Sequence, residues 1–333
     1  MRNLLYGFIL IALVITNTTF ANASEVTVYS ARQEHLIKPL FDKFTSETGI
    51  EVRYITGKAG ALFQRIAAEG KNTKADVLMT VDAGNLWNAA EKGIFQEVSS
   101  QKLNDNVPAN LRDADGRWYG LSVRARPIVY STERVKPSEL STYAALTDEK
   151  WKDRICLRTS KKIYNQSLVA MLIKQNGKEK TGEIIKGWVD NLAVAPLSSD
   201  TKVIEAISAG SCDVGIVNTY YLGRILKKDT DFPVSVFWPN QDEDGVHVNI
   251  SGAGVTKYAK NKDNAVKLLE WLTSEKAQTD IADNNLEYPV LKETPYSSVI
   301  TKWGDFKGND INVAWLGELQ TEAIILMNKY DYK

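Results

Sequence analysis

Phenolic oxygen is the first chemistry this sequence offers. The stretch "VNTYYLGRIL", Val217 to Leu226, sets Tyr220 beside Tyr221 where an apolar run opens into a helical pattern. Tyr164, in "TSKKIYNQS", stands at an equivalent place, after the strand-like "RICLR" and before a helix. In a continuing strand neighbouring side chains point to opposite faces, but at a strand-to-helix turn both phenols can face the same edge. A phenol has a pKa of about 10 and is a poor base at neutral pH. A highly charged cation changes that, because it displaces the proton on binding. Three phenolates carry the charge that balances Fe³⁺, a hard ion suited to anionic oxygen. The alternative is that paired tyrosines simply bury area, as they do in strands and interfaces.

Guanidinium groups are the second chemistry. Arg32 and Gln33 sit at the end of the first strand, next to a helix N-terminus, and Arg124 lies on a long β-rich stretch. Guanidinium forks and helix N-termini hold oxyanions well. For Arg32 and Arg124 an ion pair is the competing reading, and for Arg126 it is the preferred one. The two cysteines, Cys156 and Cys212, each begin a strand that leads to a candidate tyrosine. In an exported chain an even count favours a disulfide over two buried thiols. With two cysteines and two histidines in the chain, a zinc or copper site of soft ligands is poorly supplied. His35 reads as a surface or capping residue, Asp76 as a turn or cap, and Trp87, Trp151, Trp188 and Trp271 as packing residues.

The elements that must position these groups follow from periodicity. "VTVYS", "IEVRYIT" and "ADVLMTVD" read as strands; "HLIKPLFDKFTSETG", "GALFQRIAAEG" and "AGNLWNAAEKG" read as helices between and after them. This rhythm predicts parallel βαβ units with helices on both faces, and such sheets bind ligands at the carboxyl ends of their strands. "WYGLSVRARPIVYST" reads as one strand crossing between lobes, and "NKDNAVKLLEWLTSEKAQTDIAD" as one amphipathic helix. A chain of 333 residues suggests two domains. Arg2, the apolar "LLYGFILIALVI" and the small-x-small Ala21-Asn22-Ala23 read as a cleaved signal peptide over residues 1–23, which predicts a periplasmic protein. Its 41 basic and 41 acidic residues leave no basic patch for a nucleic acid.

The order "VTVYSARQE … ADVLMTVD … RICLRTS … CDVGIVNTYYLGR … HVNISGAGV … EYPV" resembles the ferric ion-binding proteins of bacterial ABC transporters across nearly the whole mature chain. The resemblance implies an α/β, two-lobed periplasmic binding protein (type II) with its ligand cleft between lobes joined by β crossings. Lobe 1 is expected over 24–124 and 248–300 and lobe 2 over 125–247, with C-terminal helices over 301–333 packing on lobe 2. It implies Fe³⁺ held by Tyr220 and Tyr221, with Tyr164 matching a further tyrosine of some branches. Where relatives place a histidine and a tyrosine after "VYS", this chain has Gln33 and Glu34; where others use a third-strand glutamate, it has Val81 beside Asp82. Lobe 1 is therefore expected to supply a carbonate or bicarbonate, oriented by Arg32, Gln33 and Arg124, with water or Glu34 open as an extra ligand. The implied partners are an inner-membrane ABC permease with its ATPase, and ferric iron or a ferric chelate, met by a monomer. The rival reading is the same scaffold with another solute: an oxyanion, a polyamine or an organic acid. An enzyme is a distant third, since G-x-S-x-G, H-E-x-x-H and P-loop motifs are absent.

Overall fold

The computed structural model describes residues 24–333 apart from Glu293 and Tyr296; the expected signal peptide, 1–23, lies outside the described residues. The first lobe starts with β1 (Glu25–Ser30), α1 (Glu34–Thr48), β2 (Glu51–Thr56), α2 (Ala59–Glu69), β3 (Val77–Val81), α3 (Ala83–Glu91) and α4 (Gln101–Asn106). Its apolar stripes are the predicted ones: Ile37, Leu40, Phe41 and Phe44 of α1 are all buried. Gly49 closes α1 in the left-handed conformation that a side chain would resist.

The chain then crosses. The expected single crossing strand is two, β4 (Tyr119–Ala125) and β5 (Ile128–Ser131). They are interrupted at Arg126 and Pro127, where the missing proline N–H cannot extend a ladder. The second lobe holds β6 (Ile155–Cys156), α5 (Ile163–Asp190), α6 (Asp200–Ser208), β7 (Val214–Ile216), α7 (Thr219–Leu226) and β8 (Val234–Phe237). β9 (Val248–Val255) returns to the first lobe. It is followed by α8 (Lys262–Leu272), α9 (Glu275–Asn285), α10 (Ser298–Thr301), α11 (Trp315–Glu318) and α12 (Gln320–Lys329).

Two sheets result, ordered β2-β1-β3-β9-β4 and β6-β7-β5-β8. The predicted βαβ units are present: β1 is parallel to both β2 and β3. β9 is antiparallel to β3 and β4, so the sheet is mixed rather than parallel, because β9 enters from the opposite lobe. The expected long helix over 261–283 is divided into α8 and α9. The hydroxyls of Thr273 and Ser274 bond back to the carbonyls of Leu269 and Trp271 and end the first helix.

Helix α5 bends at Gly177, whose φ of 77° is non-helical. Helix α12 packs on α5, but α11 packs on both α5 and α3, so the C-terminal segment touches both lobes. β6 and β7 are parallel neighbours, and Cys156 is bonded to Cys212 with a Cα–Cα distance of 5.8 Å. This bridge lies in an apolar cluster with Val203, Ile204 and Ile207 of α6 and Leu222 of α7, behind the tyrosines.

Candidate metal centre

Three helix N-termini converge between the lobes. Tyr164 is the second residue of α5, and Tyr220 and Tyr221 are the second and third of α7. Strand β7 ends at Ile216, two residues before the N-cap Asn218, so the pleat is lost before the tyrosines begin. Both phenols therefore lie in one helical turn at the cleft, their ring centroids 4.4 Å apart and tilted by 34°. Tyr220 is buried; Tyr164 and Tyr221 are half-buried. From the first lobe, β1 delivers Arg32, and Gln33 is the N-cap of α1. The positive end of a helix favours negative charge, and here three such ends face one cavity.

That cavity measures about 130 Å³ and is lined by Tyr164, Tyr220, Tyr221, Arg32, Gln33 and Arg124. Every residue that sequence reasoning placed at the metal or at its anion thus borders one space. Val81 lines it as well, and so do Glu287 and Arg224, which sequence reasoning did not assign. A larger hollow of about 350 Å³ lies by Lys302 and Trp303, but it holds none of these groups.

Glu287 organises the first-lobe side. It forms a buried ion pair with Arg32 at 3.0 Å and accepts from Ser122 Oγ at 2.5 Å, with Arg124 Nη1 4.0 Å away. Arg124 donates to Ser251 Oγ at 2.8 Å and to the Ile250 carbonyl at 2.7 Å; Arg32 also donates to Ser251 Oγ. Burial opposes ionisation of Glu287, but Arg32, Arg124 and the Ser122 bond outweigh it and hold its carboxyl below the usual range. Even so, Nη2 of Arg32 and Nε of Arg124 are buried without a hydrogen-bond partner. A buried N–H without a partner among the described residues is costly. Glu34 is turned away and accepts from Tyr54 at 2.8 Å, while His35 is exposed.

The phenols are in an environment that resists ionisation without a cation. Burial raises the Tyr220 pKa well above its ordinary value, and the neighbouring Tyr164 and Tyr221 raise it further, with Arg124 opposing. Cationic groups also cover the ring faces: Arg158 lies 5.3 Å and Arg124 5.5 Å from the Tyr164 centroid, and Arg224 4.9 Å from that of Tyr220. Among the described residues no cluster of three or more His, Cys, Asp or Glu could hold a metal. The anionic or ionisable oxygens lining the cavity are the phenols of Tyr164, Tyr220 and Tyr221 and the carboxylate of Glu287.

The comparisons with known proteins agree with this architecture. Residues 72–304 match the family model of the bacterial extracellular solute-binding proteins. Iron uptake protein A1 of Synechocystis is 47% identical over 315 residues, covering 93% of this chain and 88% of that protein. The chain belongs to this family. The solute-binding fold is shared in detail with the Trichodesmium protein IdiA (FutA), solved in complex with iron and citrate. The TM-score is 0.90 at 45% identity, covering 93% of this chain and 100% of that one. Apo FutA2 of Synechocystis gives 0.88 at 42% identity, with the same 93% of this chain and 100% of that chain covered. These solute-binding relatives are uptake and binding proteins rather than enzymes, and this chain stands with them.

Proposed function

We propose that the protein captures ferric iron through the phenolate oxygens of Tyr164, Tyr220 and Tyr221, together with a small oxyanion held by Arg32, Gln33 and Arg124. It then passes the iron to an ABC permease. The observation that carries this reading is the convergence, on one cavity, of three phenols with the guanidinium side chains of Arg32 and Arg124. Charge supports it. Three phenolates cancel the charge of Fe³⁺. Around them, Arg32, Arg124 and Arg224 against Glu287 leave two positive charges, which a carbonate dianion matches. The relative solved with iron and citrate supports an iron cargo with a carboxylate companion. The N-terminal pattern of Arg2, an apolar run and Ala21-Asn22-Ala23 supports export to the periplasm before capture.

Mechanistically, metal binding and proton loss are one event: the burial that keeps Tyr220 protonated is overcome by the cation. Because the lining comes from both lobes, the loaded cavity favours the arrangement in which they meet. Release is promoted by reprotonation of the phenolates, or by reduction to Fe²⁺, which binds hard anionic oxygen less strongly.

The test is a visible titration of the mature protein with ferric citrate, with and without bicarbonate. A phenolate-to-iron charge-transfer band that saturates at one equivalent is expected, strengthened by bicarbonate. A folded protein that develops no band would refute the assignment of the tyrosines. A band indifferent to bicarbonate would refute carbonate alone and leave a carboxylate such as citrate as the companion.

A further inference from the structure

We propose that the buried Arg126–Asp200 pair is the positioning device of the tyrosine platform, fixing Tyr164 and the Tyr220–Tyr221 turn relative to each other; this rests on the ferric reading above. Neither residue lines the cavity, and both are essentially inaccessible, at 1% and 0% exposure. Arg126 Nη1 donates to Asp200 Oδ2 at 2.8 Å. The same carboxylate oxygen accepts the backbone N–H of Asn218 at 2.9 Å, which sets the entry to α7. Arg126 also reaches Asn218 Oδ1 at 3.2 Å, and Asn218 Nδ2 donates to the Tyr220 hydroxyl at 3.3 Å.

The other arm goes to the second helix. Arg126 Nη2 donates to Asn165 Oδ1 at 2.6 Å, and Asn165 is the residue after Tyr164. Asn165 Nδ2 in turn donates to the Arg158 carbonyl at 2.7 Å, and Arg158 Nη1 returns to Asp200 Oδ1 at 3.2 Å. One guanidinium and one carboxylate thus tie together the N-terminal turns of α5 and α7. Asp200 itself has little freedom. It begins α6, which packs so closely on β7 that a Cβ at Gly215 would lie 2.5 Å from Val203 Cγ1. Arg126 stands at the break between β4 and β5, where the chain passes from one lobe to the other. Partners behind metal ligands commonly alter metal affinity by roughly 10- to 100-fold.

The experiment compares the ferric titration of the wild type with Asp200→Asn, Arg126→Lys and, as a control, Asp76→Asn. Asp76 is an equally buried structural anchor in the first lobe, accepting from the N–H groups of Thr27 and Asn261, each at 2.9 Å. Asp200→Asn is expected to weaken ferric binding roughly 10-fold or more and to shift the charge-transfer band. Asp76→Asn is expected to lower the melting temperature while leaving the band in place. Arg126→Lys keeps a cation beside Asp200 but cannot span to Asn165, so it too should shift the band; it decides the matter if Asp200→Asn does not fold. Wild-type band and affinity in Arg126→Lys, or in a folded Asp200→Asn, would overturn the proposal, as would an equal band shift in Asp76→Asn. A wild type without any band would instead overturn the ferric reading on which the proposal rests.

Discussion

At the scale of single residues, the three tyrosines differ in what their loss should do. Tyr220 is buried and has its hydroxyl against Asn218, so Tyr220→Phe removes one oxygen and little packing. On the proposed ligand set, ferric affinity should fall by at least the roughly 10- to 100-fold that loss of an outer-shell partner costs. The thermal midpoint of the iron-free protein should stay within a few degrees. Titration and calorimetry on the same preparation check both, and unchanged iron affinity would remove Tyr220 from the ligand set. Arg32→Ala should act differently, because Arg32 is paired with Glu287 and leaves that carboxylate buried beside Arg124 alone. Its expected signature is a smaller loss of affinity, confined to the bicarbonate-dependent part of binding. That Glu287 belongs to this group was not legible beforehand. "LEYPV" offers no periodic signal for it, and Arg32 and Glu287 are separated by 255 positions. The placement of Tyr220 and Tyr221 at a strand-to-helix junction, by contrast, was legible from periodicity, whereas their assignment to a metal came from the family resemblance.

At the scale of elements, helices α1 and α2 followed their apolar periods because each buries one stripe, and β3 read as a continuous apolar run because both its faces are buried. What periodicity could not supply was where an element stops. The break at Pro127 depends on a missing N–H, and the division of α8 from α9 on two hydroxyls that bond backward. The crossing between lobes also carries a titration of its own. His247 precedes β9, is buried, and faces Arg126 and Arg124. Burial, then those two guanidiniums, lower its pKa from 6.5 to about 3. The folded pKa is depressed, so the unfolded chain takes up a proton near pH 6.5 while the folded one does not until about pH 3. Stability is therefore unaffected above pH 7 and should fall by up to ~1.4 kcal/mol per pH unit below about 6. Urea unfolding at pH 7 and pH 5 should show a steeper loss in the wild type than in His247→Gln. Equal slopes would mean that His247 is charged in the fold.

At the scale of the whole molecule, the site is complete only when two lobes meet, so the contacts that join them bear on affinity. One such contact lies next to the cavity. Asp82, at the end of β3 in the first lobe, accepts from Ser167 Oγ of α5 at 2.8 and 2.9 Å. Asn249 and the Gly84 N–H also serve the same carboxylate, each at 2.9 Å, and it is fully buried. Asp82 holds a φ of 75°, unfavourable for a residue with a side chain, and these three donors together stabilise it there. Ser167 is three residues beyond Tyr164, so the bond ties the tyrosine helix directly to the first-lobe edge. Removing the hydroxyl by Ser167→Ala costs about 1–3 kcal/mol of that contact. A cost borne by the joined state alone shifts the lobes apart, and apparent affinity falls in proportion to the joined population. The expected outcome is a larger radius of gyration by X-ray scattering for iron-free Ser167→Ala than for the wild type. Ferric affinity should be lower, by at most the roughly 5- to 150-fold that about 1–3 kcal/mol allows, with the charge-transfer band unshifted because the proposed ligand oxygens are untouched. Affinity falls in both variants, but the band moves only in Asp200→Asn. An iron-free Ser167→Ala with the wild-type radius and affinity would show that the Asp82–Ser167 bond does not contribute to joining the lobes.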